Sequence, residues 1–230
     1  MKPTFFLGQN PVTRILKTLR AKGPLRVFKL IWHAALDAFW DIRHGTDTLK
    51  RVAPDEIQTD SINKRSSQAY GATRARPFVQ LLNNLRLPDD SVFVDFGSGK
   101  GRVLLIAAQY GFRRVVGIEF SAPLCEVARK NLELFRRRRA ITSDVRVVHA
   151  DVVQYVIEHD ETVFYFFDPF SSEVLEKVLN NIRQSLTTHP RRIWVIYNSP
   201  QHRDVMERSR LFTSNQNLEI GGSEICVYGN

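Results

Sequence analysis

The sequence has few cysteines and no cluster of histidines, and each shortage excludes a kind of site. Its 230 residues include only two cysteines, Cys125 and Cys226, too few and too far apart for a disulfide framework or a cysteine metal site. The six histidines are scattered, with no pair at the spacing of a metal-binding helix. We therefore predict that no metal is bound, and that the protein belongs to a reducing, cytoplasmic compartment.

The sequence also lacks a run of apolar residues long enough to cross a lipid bilayer. The best candidate, residues 27–40, is interrupted by Lys29, His33 and Asp37. The N-terminus shows no secretory pattern. We expect no transmembrane segment. A helix of this composition is able to lie on a membrane surface, but a buried helix is the simpler interpretation.

Length and charge limit the number of domains and the kinds of partner. A chain of 230 residues with 43% hydrophobic and 25% charged residues predicts one α/β domain with a small appendage. The net charge of +9 permits a nucleic acid, an anionic membrane or an acidic protein as partner, but requires none of them. The densest cluster, Arg136 to Arg139, falls at the end of a predicted helix, where cations complement the helix dipole.

Two helices are predicted before the main domain. The first covers residues 10–23, with Pro11 near its start and Gly23 at its end. The second runs from about Leu25 to Arg43, and its apolar residues share one helical stripe: Phe28, Ile31, Trp32, Ala35, Phe39 and Ile42. Because such helices gain most of their stability from packing, we expect this stripe to contact the core domain. Residues 1–66 form the predicted helical extension, and residues 67–230 the main domain.

One stretch of the main domain combines a buried strand, a glycine-rich turn and a helix. Residues 92–96 are mainly apolar but include Asp95, glycines follow at positions 97, 99 and 101, and residues 103–108 are apolar again. A turn of this kind brings the backbone close to a ligand and points free N–H groups at it. The third glycine of a dinucleotide-binding pattern would fall at position 102, which is Arg102. An acid two residues before the first glycine suits a ligand that carries an ammonium group.

Strand and helix patterns alternate five times, and the chain closes with a predicted hairpin around Gly221-Gly222. This order predicts an α/β fold with a doubly wound, mostly parallel seven-stranded sheet, helices on both faces and an antiparallel last strand. Four predicted strands end next to an acid: Asp95, Glu119, Asp151 and Asp168. Since the carboxyl ends of parallel strands share one edge, where ligands bind, we expect these acids to lie at a common cleft.

Two of these acids have the positions of nucleoside-binding groups. Glu119, at the end of the second strand, is placed to accept hydrogen bonds from ribose hydroxyls. Asp151, after the third strand, is placed to accept from the exocyclic amine of an adenine. Asp151 also suits the N-cap of a helix predicted over residues 152–158, and the two roles are compatible.

The pattern Asp-x-Gly-x-Gly-x-Gly at residues 95–101 resembles the first motif of the seven-stranded class I S-adenosylmethionine-dependent methyltransferases. The resemblance extends from about Tyr70 to the C-terminus. It implies that S-adenosyl-L-methionine is the cofactor and that the protein is a methyltransferase. The resemblance implies the following cofactor-binding residues: Tyr70, Thr73, Asp95, Gly97, Ser98, Gly99, Gly101, Glu119 and Asp151.

Further stretches of the sequence resemble particular groups of methyltransferases. Tyr70-Gly71, together with the glycine stretch, is similar to the non-SET histone-lysine methyltransferase family, in which a Tyr-Gly segment touches the cofactor. The whole chain, including residues 41–48, is also similar to a group of uncharacterised bacterial methyltransferases. The tripeptide Asp168-Pro169-Phe170 is similar to the Asn/Asp-Pro-Pro-Tyr motif of amino-methylating enzymes and departs from the Asn-Asn-Phe of the histone enzymes. The resemblance implies that these three residues are catalytic and that the acceptor is an amine nitrogen, on a protein lysine or a small molecule.

Two other functions stay open on the sequence. The first is a NAD-dependent oxidoreductase on a related sheet, although Arg102 in the glycine pattern and the lack of a Tyr-x-x-x-Lys pair argue against it. The second is a non-catalytic protein that binds nucleic acid on a methyltransferase scaffold, which the net charge of +9 permits. The methyl acceptor is not identified by the sequence.

Overall fold

The computed structural model describes residues 24–50, 71–167 and 171–230, in which helices and strands alternate. The helices are α1 Pro24–His44, α2 Ala75–Leu85, α3 Arg102–Tyr110, α4 Ala122–Arg136, α5 Ser172–Thr188 and α6 Arg203–Arg208. The strands are β1 Val92–Phe96, β2 Arg114–Glu119, β3 Asp144–His149, β4 Val163–Phe167, β5 Trp194–Asn198, β6 Ser214–Ile220 and β7 Ser223–Gly229. The first predicted helix, over residues 10–23, lies outside the described residues.

The strands form one seven-stranded sheet in the order β3-β2-β1-β4-β5-β7-β6. β1 to β5 are parallel, and β7 runs antiparallel to both of its neighbours. The predicted α/β fold with an antiparallel last strand is therefore confirmed. β1 has β2 on one side and β4 on the other, so the winding direction reverses between them. In sheets of this kind the ligand crevice lies at the carboxyl ends of those strands.

Each face of the sheet is covered by its own hydrophobic cluster. Along β1, Phe93 belongs to the cluster that includes α2 and α3, whereas Val94 and Phe96 belong to the cluster that includes α5. β4 alternates in the same way, as the period of two in a strand requires. Central strands buried on both faces explain why the sequence shows nearly continuous apolar runs.

The segment after β3 is not the helix that the sequence predicts. Residues 152–154 form a turn, and residues 155–158 have no regular structure. Asp151 Oδ1 accepts a hydrogen bond of 2.9 Å from the Val153 N–H, so Asp151 closes this turn. Four residues between positions 152 and 157 are β-branched, which disfavours a helix: Val152, Val153, Val156 and Ile157.

α1 packs on the domain with its polar face, and the prediction that its apolar stripe contacts the core is wrong. The whole stripe is exposed to solvent: Phe28, Ile31, Trp32, Ala35, Phe39 and Ile42. Ile42 is 76% exposed. Asp37 and Asp41 lie on the opposite side of the helix and point into the domain. Among the described helices, none has both the length and the apolarity that a bilayer crossing requires.

Arg102, the first residue of α3, is the reason for this orientation. Its side chain is 1% exposed, and its guanidinium contacts Asp37 Oδ1 at 2.8 Å and lies 3.5 Å from Asp41 Oδ1. The guanidinium also lies 4.7 Å from the ring centre of Trp40. A buried cation is stable only with counter-charges and hydrogen-bond acceptors. The polar face of α1 supplies both, and the apolar stripe offers neither.

The loop that follows α1 continues these contacts up to the glycine turn. Asp41 accepts hydrogen bonds from the Thr48 N–H and hydroxyl at 2.9 and 2.7 Å. Lys100 Nζ forms an ion pair with Asp47 at 3.1 Å. Asn131 of α4 donates to the carbonyl oxygens of both Asp47 and Lys100. α1 and its loop are therefore attached to the domain next to the region where the sequence predicts a ligand.

Candidate functional site

The glycine loop, residues 97–101, connects β1 to α3 at the carboxyl edge of the sheet. All three of its glycines have positive φ angles that favour glycine: Gly97 89°, Gly99 51° and Gly101 81°. The N–H groups of residues 97 and 98 donate to the Ile118 carbonyl at 2.9 and 3.0 Å. The N–H of residue 99 donates to Glu119 Oε2 at 2.8 Å. These three N–H groups are therefore not free for a ligand, and at residues 97–99 the loop offers close backbone approach instead.

Two predicted loop residues serve packing beneath the loop. A Cβ on Gly101 would lie 3.1 Å from the Cβ of Ala128, so this glycine lets α3 and α4 approach each other. The Ser98 side chain lies against Gly117 of β2, where an added Cβ would be 2.7 Å from its hydroxyl oxygen. That hydroxyl has no hydrogen-bond partner in the described part of the chain. Ser98 thus contacts the sheet with its side chain, and its backbone N–H and carbonyl are hydrogen-bonded to Ile118 and Gly101.

Asp95 is a buried acid near the end of β1. It is 3% exposed, and within the described ranges its carboxyl makes no hydrogen bond or ion pair. Burial, together with the charge of Glu119, raises the pKa of Asp95 well above its usual value. A cation beside this carboxyl would favour its ionised form and reverse the shift. The position is therefore suited to the ammonium group of a ligand.

Glu119, at the end of β2, is fixed by the backbone around it. Its Oε2 accepts from the Gly99 N–H at 2.8 Å, and its Oε1 accepts from the Ser121 N–H at 2.9 Å. Burial raises the pKa of Glu119, and these two hydrogen bonds oppose the rise. Each carboxylate oxygen is able to accept a further hydrogen bond. Glu119 is therefore held in one position beside the loop while it retains capacity for hydroxyl donors.

Three buried polar groups lie beside Asp95 on the side of β4, opposite to Glu119 of β2. Tyr165 of β4 is the register partner of Asp95. Its hydroxyl lies 2.9 Å from the Thr73 hydroxyl and accepts a hydrogen bond of 2.9 Å from Asn198 Nδ2. Burial raises the pKa of Tyr165, so the phenol stays neutral. These contacts connect the segment before α2 to the middle of β4 and the end of β5.

The structure brings several predicted residues together at one edge. Asp95, Glu119, Thr73 and the glycine loop surround the carboxyl ends of β1, β2 and β4. Asp151 follows β3 at the same edge, because the Ala150 N–H before it donates to the Glu119 carbonyl at 3.0 Å. Four predicted residues lie outside the described residues: Tyr70, Asp168, Pro169 and Phe170.

Sequence reasoning missed the roles of Tyr165 and Asn198. Tyr165 carries the only hydroxyl in the apolar strand Val163–Phe167, and that exception is the signal that could have found it. Asn198 is a polar residue that ends an apolar strand, as the predicted acids do. Within residues 24–50, 71–167 and 171–230, no group of three or more His, Cys, Asp or Glu side chains is placed to hold a metal ion.

Comparison with solved structures places this fold among methyltransferases. The methyltransferase domain of bacterial CtHen1 is 15% identical, with a TM-score of 0.50 over 68% of this chain and 97% of that one. The pyocyanin biosynthetic protein PhzM is 17% identical, with a TM-score of 0.51 over 67% of this chain and 54% of that one. At these identities the likeness concerns the fold.

A curated relative matches a shorter part of the chain at higher sequence identity. The trans-aconitate 2-methyltransferase of Enterobacter sp. (strain 638) is 31% identical over 97 residues. The match spans 42% of this chain but only 34% of the relative. Together with the sheet order and the glycine loop after β1, these findings show the fold of the class I, S-adenosylmethionine-dependent methyltransferases. The class that the sequence predicts is confirmed.

The family within this class follows from a further match. The family model for the histone methylation protein DOT1 matches residues 50–184, more than half of the chain. The chain therefore belongs to the DOT1 family. This agrees with the similarity to non-SET histone-lysine methyltransferases that the Tyr70-Gly71 and glycine stretches indicate.

The residues at the sheet edge fit the cofactor of this class. S-adenosylmethionine carries an ammonium group, a ribose and an adenine. Asp95 offers a buried carboxyl without a counter-ion among the described residues, which suits the ammonium. Glu119 is fixed beside the glycine loop with acceptor capacity for hydroxyls. The positive φ angles of the loop glycines leave the backbone without side chains at the point of closest approach.

Proposed function

We propose that the protein transfers a methyl group from S-adenosylmethionine to an amine nitrogen. The observation that carries this proposal is the buried Asp95 carboxyl, which has no partner among the described residues and lies beside the glycine loop and Glu119. Asp95 binds the ammonium, Glu119 the ribose and Asp151 the adenine amine. The remaining proposed cofactor contacts are Tyr70, Thr73, Gly97, Ser98, Gly99 and Gly101.

Proposed catalysis depends mainly on positioning. Bound S-adenosylmethionine supplies a methyl carbon that is already electrophilic. The nitrogen lone pair of the acceptor forms the new C–N bond as the C–S bond breaks, and the nitrogen then releases a proton. Asp168 accepts a hydrogen bond from the incoming amine and orients its lone pair, and correct positioning of this kind contributes roughly 7–11 kcal/mol. We propose that Pro169 restricts the backbone next to Asp168. Phe170 presents a ring face to the positively charged centre of the reaction.

Three observations bear on the acceptor, and they leave two acceptor classes. The DOT1 family match over residues 50–184 favours a lysine side chain of a protein. The similarity of Asp168-Pro169-Phe170 to amino-methylating enzymes favours an amine in general, and the partial match to a trans-aconitate 2-methyltransferase keeps a small molecule as the second candidate.

Transfer of a labelled methyl group separates these acceptors. The purified protein is incubated with methyl-labelled S-adenosylmethionine and cell lysate, which is then divided into protease-treated, nuclease-treated and small-molecule fractions. Label that is released by protease supports a protein acceptor, and label in the small-molecule fraction supports the second candidate. Absence of label, together with salt-sensitive binding to nucleic acid, would instead support a non-catalytic nucleic-acid-binding protein.

Replacement of Asp168 tests the catalytic assignment. Asp168→Ala should leave the affinity for S-adenosylhomocysteine nearly unchanged in calorimetry and reduce methyl transfer sharply, because the acceptor loses its orienting group. Glu173→Ala, which removes a carboxylate at the start of α5, serves as the control and should retain transfer. Unchanged turnover of Asp168→Ala would remove this residue from the mechanism.

A further inference from the structure

The exposed stripe of α1 is continuous along the helix. At about 100° per residue, its six apolar residues fall within one sector of roughly 100°: Phe28, Ile31, Trp32, Ala35, Phe39 and Ile42. From Phe28 to Ile42 the stripe extends about 21 Å along the axis at a rise of about 1.5 Å per residue. Phe28 and Trp32 stack on each other with ring centres 6.5 Å apart. The stripe is therefore one contiguous apolar surface.

This concentration of apolar side chains is specific to α1. Seven large hydrophobic side chains are exposed in the described residues, and five of them belong to the stripe. Of the other two, Val79 lines the same groove between α1 and α2 as Phe39, and only Val156 is remote. Contiguous apolar patches of this kind mark interaction surfaces.

The charged side chains beside the stripe are mainly basic. The acid among them, Asp37, is paired with the buried Arg102 at 2.8 Å. The groove between α1 and α2, with a volume of about 280 Å³, is also lined by Arg43, Arg76 and Arg139. None of these three arginines forms an ion pair with a residue that the structure describes. The surface thus combines an apolar stripe with free guanidinium groups.

We propose that α1 docks the protein on the surface of an anionic lipid bilayer. The stripe lies in the interface between headgroups and acyl chains, and the arginines of the groove contact lipid phosphates. An apolar helix face combined with basic side chains is the composition of helices that bind in this way. Because Arg102 already holds the polar face of α1 on the domain, the stripe is presented outward without any rearrangement of the fold.

The same features disfavour other occupants. A nucleic acid would use the arginines but would leave the aromatic stripe in water. A second copy of the chain would bring two surfaces of the same positive sign together. The core domain contacts the opposite face of α1 through Asp37 and Asp41 and leaves the stripe uncovered.

Binding to vesicles tests this proposal with the intact chain. We expect the protein to float with vesicles of phosphatidylcholine and phosphatidylglycerol but not with vesicles of phosphatidylcholine alone, and the bound fraction to fall as salt is raised. The double variant Trp32→Ser/Phe39→Ser should bind the anionic vesicles at least tenfold more weakly. Val156→Ser, which removes an exposed apolar side chain far from α1 (82% exposed), is the matched control and should bind like the parent.

The possible outcomes separate the proposal from its rivals. Equal binding by the double variant, or no binding to anionic vesicles, would overturn the proposal. A dimer seen by light scattering that the double variant abolishes would overturn it in favour of a second copy. Because the stripe is exposed, the double variant should keep the parent's melting temperature and its affinity for S-adenosylhomocysteine. Vesicle binding is thus tested independently of the proposed transfer reaction.

Discussion

Tyr165 contributes a single hydroxyl to an apolar strand, and that hydroxyl has two buried partners. Thr73 and Asn198 both lie 2.9 Å from it, so three separate parts of the chain meet at one oxygen. Thr73 follows directly on the segment that the family resemblance assigns to the cofactor. The Thr73 hydroxyl therefore holds the described residues before α2 against the core of the sheet.

Replacement of Thr73 tests this dependence. Thr73→Val keeps the shape of the side chain but removes the hydroxyl, which should cost about 1 kcal/mol of stability and weaken the affinity for S-adenosylhomocysteine. Thr73→Ser keeps the hydroxyl and should retain both properties. Thermal unfolding and calorimetry measure the two effects. Equal cofactor affinity in the two variants would show that the hydrogen bond between Thr73 and Tyr165 has no role in the site.

Glu161, at the opposite edge of the sheet, gives a pH-dependent contribution to stability. This fully buried carboxyl accepts a hydrogen bond of 2.6 Å from Tyr155, and burial raises its pKa from 4.5 to about 7. The folded protein therefore holds the proton more tightly than the unfolded chain. The contribution is fully present below pH 4.5 and is lost as the pH rises through about 7, a change of about 3 kcal/mol.

The variant Glu161→Gln removes this titration. Between pH 4.5 and 7 we expect the free energy of unfolding of the parent to fall relative to that of the variant. Urea unfolding at several pH values measures the difference. Parallel curves for the two proteins would contradict the shifted pKa.

At the scale of secondary structure, the sequence predicts which residues form helices better than it predicts which face of a helix is buried. α1 begins and ends within one residue of its predicted limits. Its orientation was predicted wrongly because periodicity identifies an apolar face, whereas the buried charge of Arg102 determines which face the domain contacts. Asp95, Glu119 and Asp151 were predictable because strand ends share an edge. Tyr165 was not, because its hydroxyl is hidden in an aromatic run.

The contact between α1 and α3 is open to a direct test. Arg102→Met removes the charge and leaves Asp37 and Asp41 facing the domain without a cation, which should cost about 3–5 kcal/mol. Hydrogen exchange should increase in residues 31–50 and stay slow in the central strands. The control is Arg113, which forms a surface ion pair with Asp160 and has a side chain that is 51% exposed. Arg113→Met should lower the free energy of unfolding by less than about 1 kcal/mol. A similar decrease in the free energy of unfolding in both variants would contradict the role of Arg102.

For the whole molecule, the order of the seven strands brings residues that are distant in the sequence to one crevice. The number of strands and their directions were predictable from the alternation of apolar runs and helical patterns, together with the right-handed crossover rule. Contacts between the extension and the sheet were not, because they depend on pairs such as Lys100 with Asp47. No local pattern connects residues 53 positions apart.

A ligand in the crevice should therefore stabilise the complete fold. S-adenosylhomocysteine at about one hundred times its dissociation constant adds about 2.7 kcal/mol, which corresponds to an increase of about 5–10 °C in the melting temperature of a chain of this size. Glu119→Ala should abolish most of this increase, because a main contact to the ligand is lost. An equal increase in Glu119→Ala would place the ligand elsewhere.

The ion pair between Lys100 and Asp47 joins the glycine loop to the loop that leaves α1. A nucleoside that orders the glycine loop therefore also restrains the loop after α1 through this ion pair. Membrane attachment of α1 restrains the loop after α1 directly, and through the same ion pair it acts on the glycine loop. Linkage is reciprocal. Whatever factor vesicles impose on the affinity for the methyl donor, the donor has to impose the same factor on the affinity for vesicles.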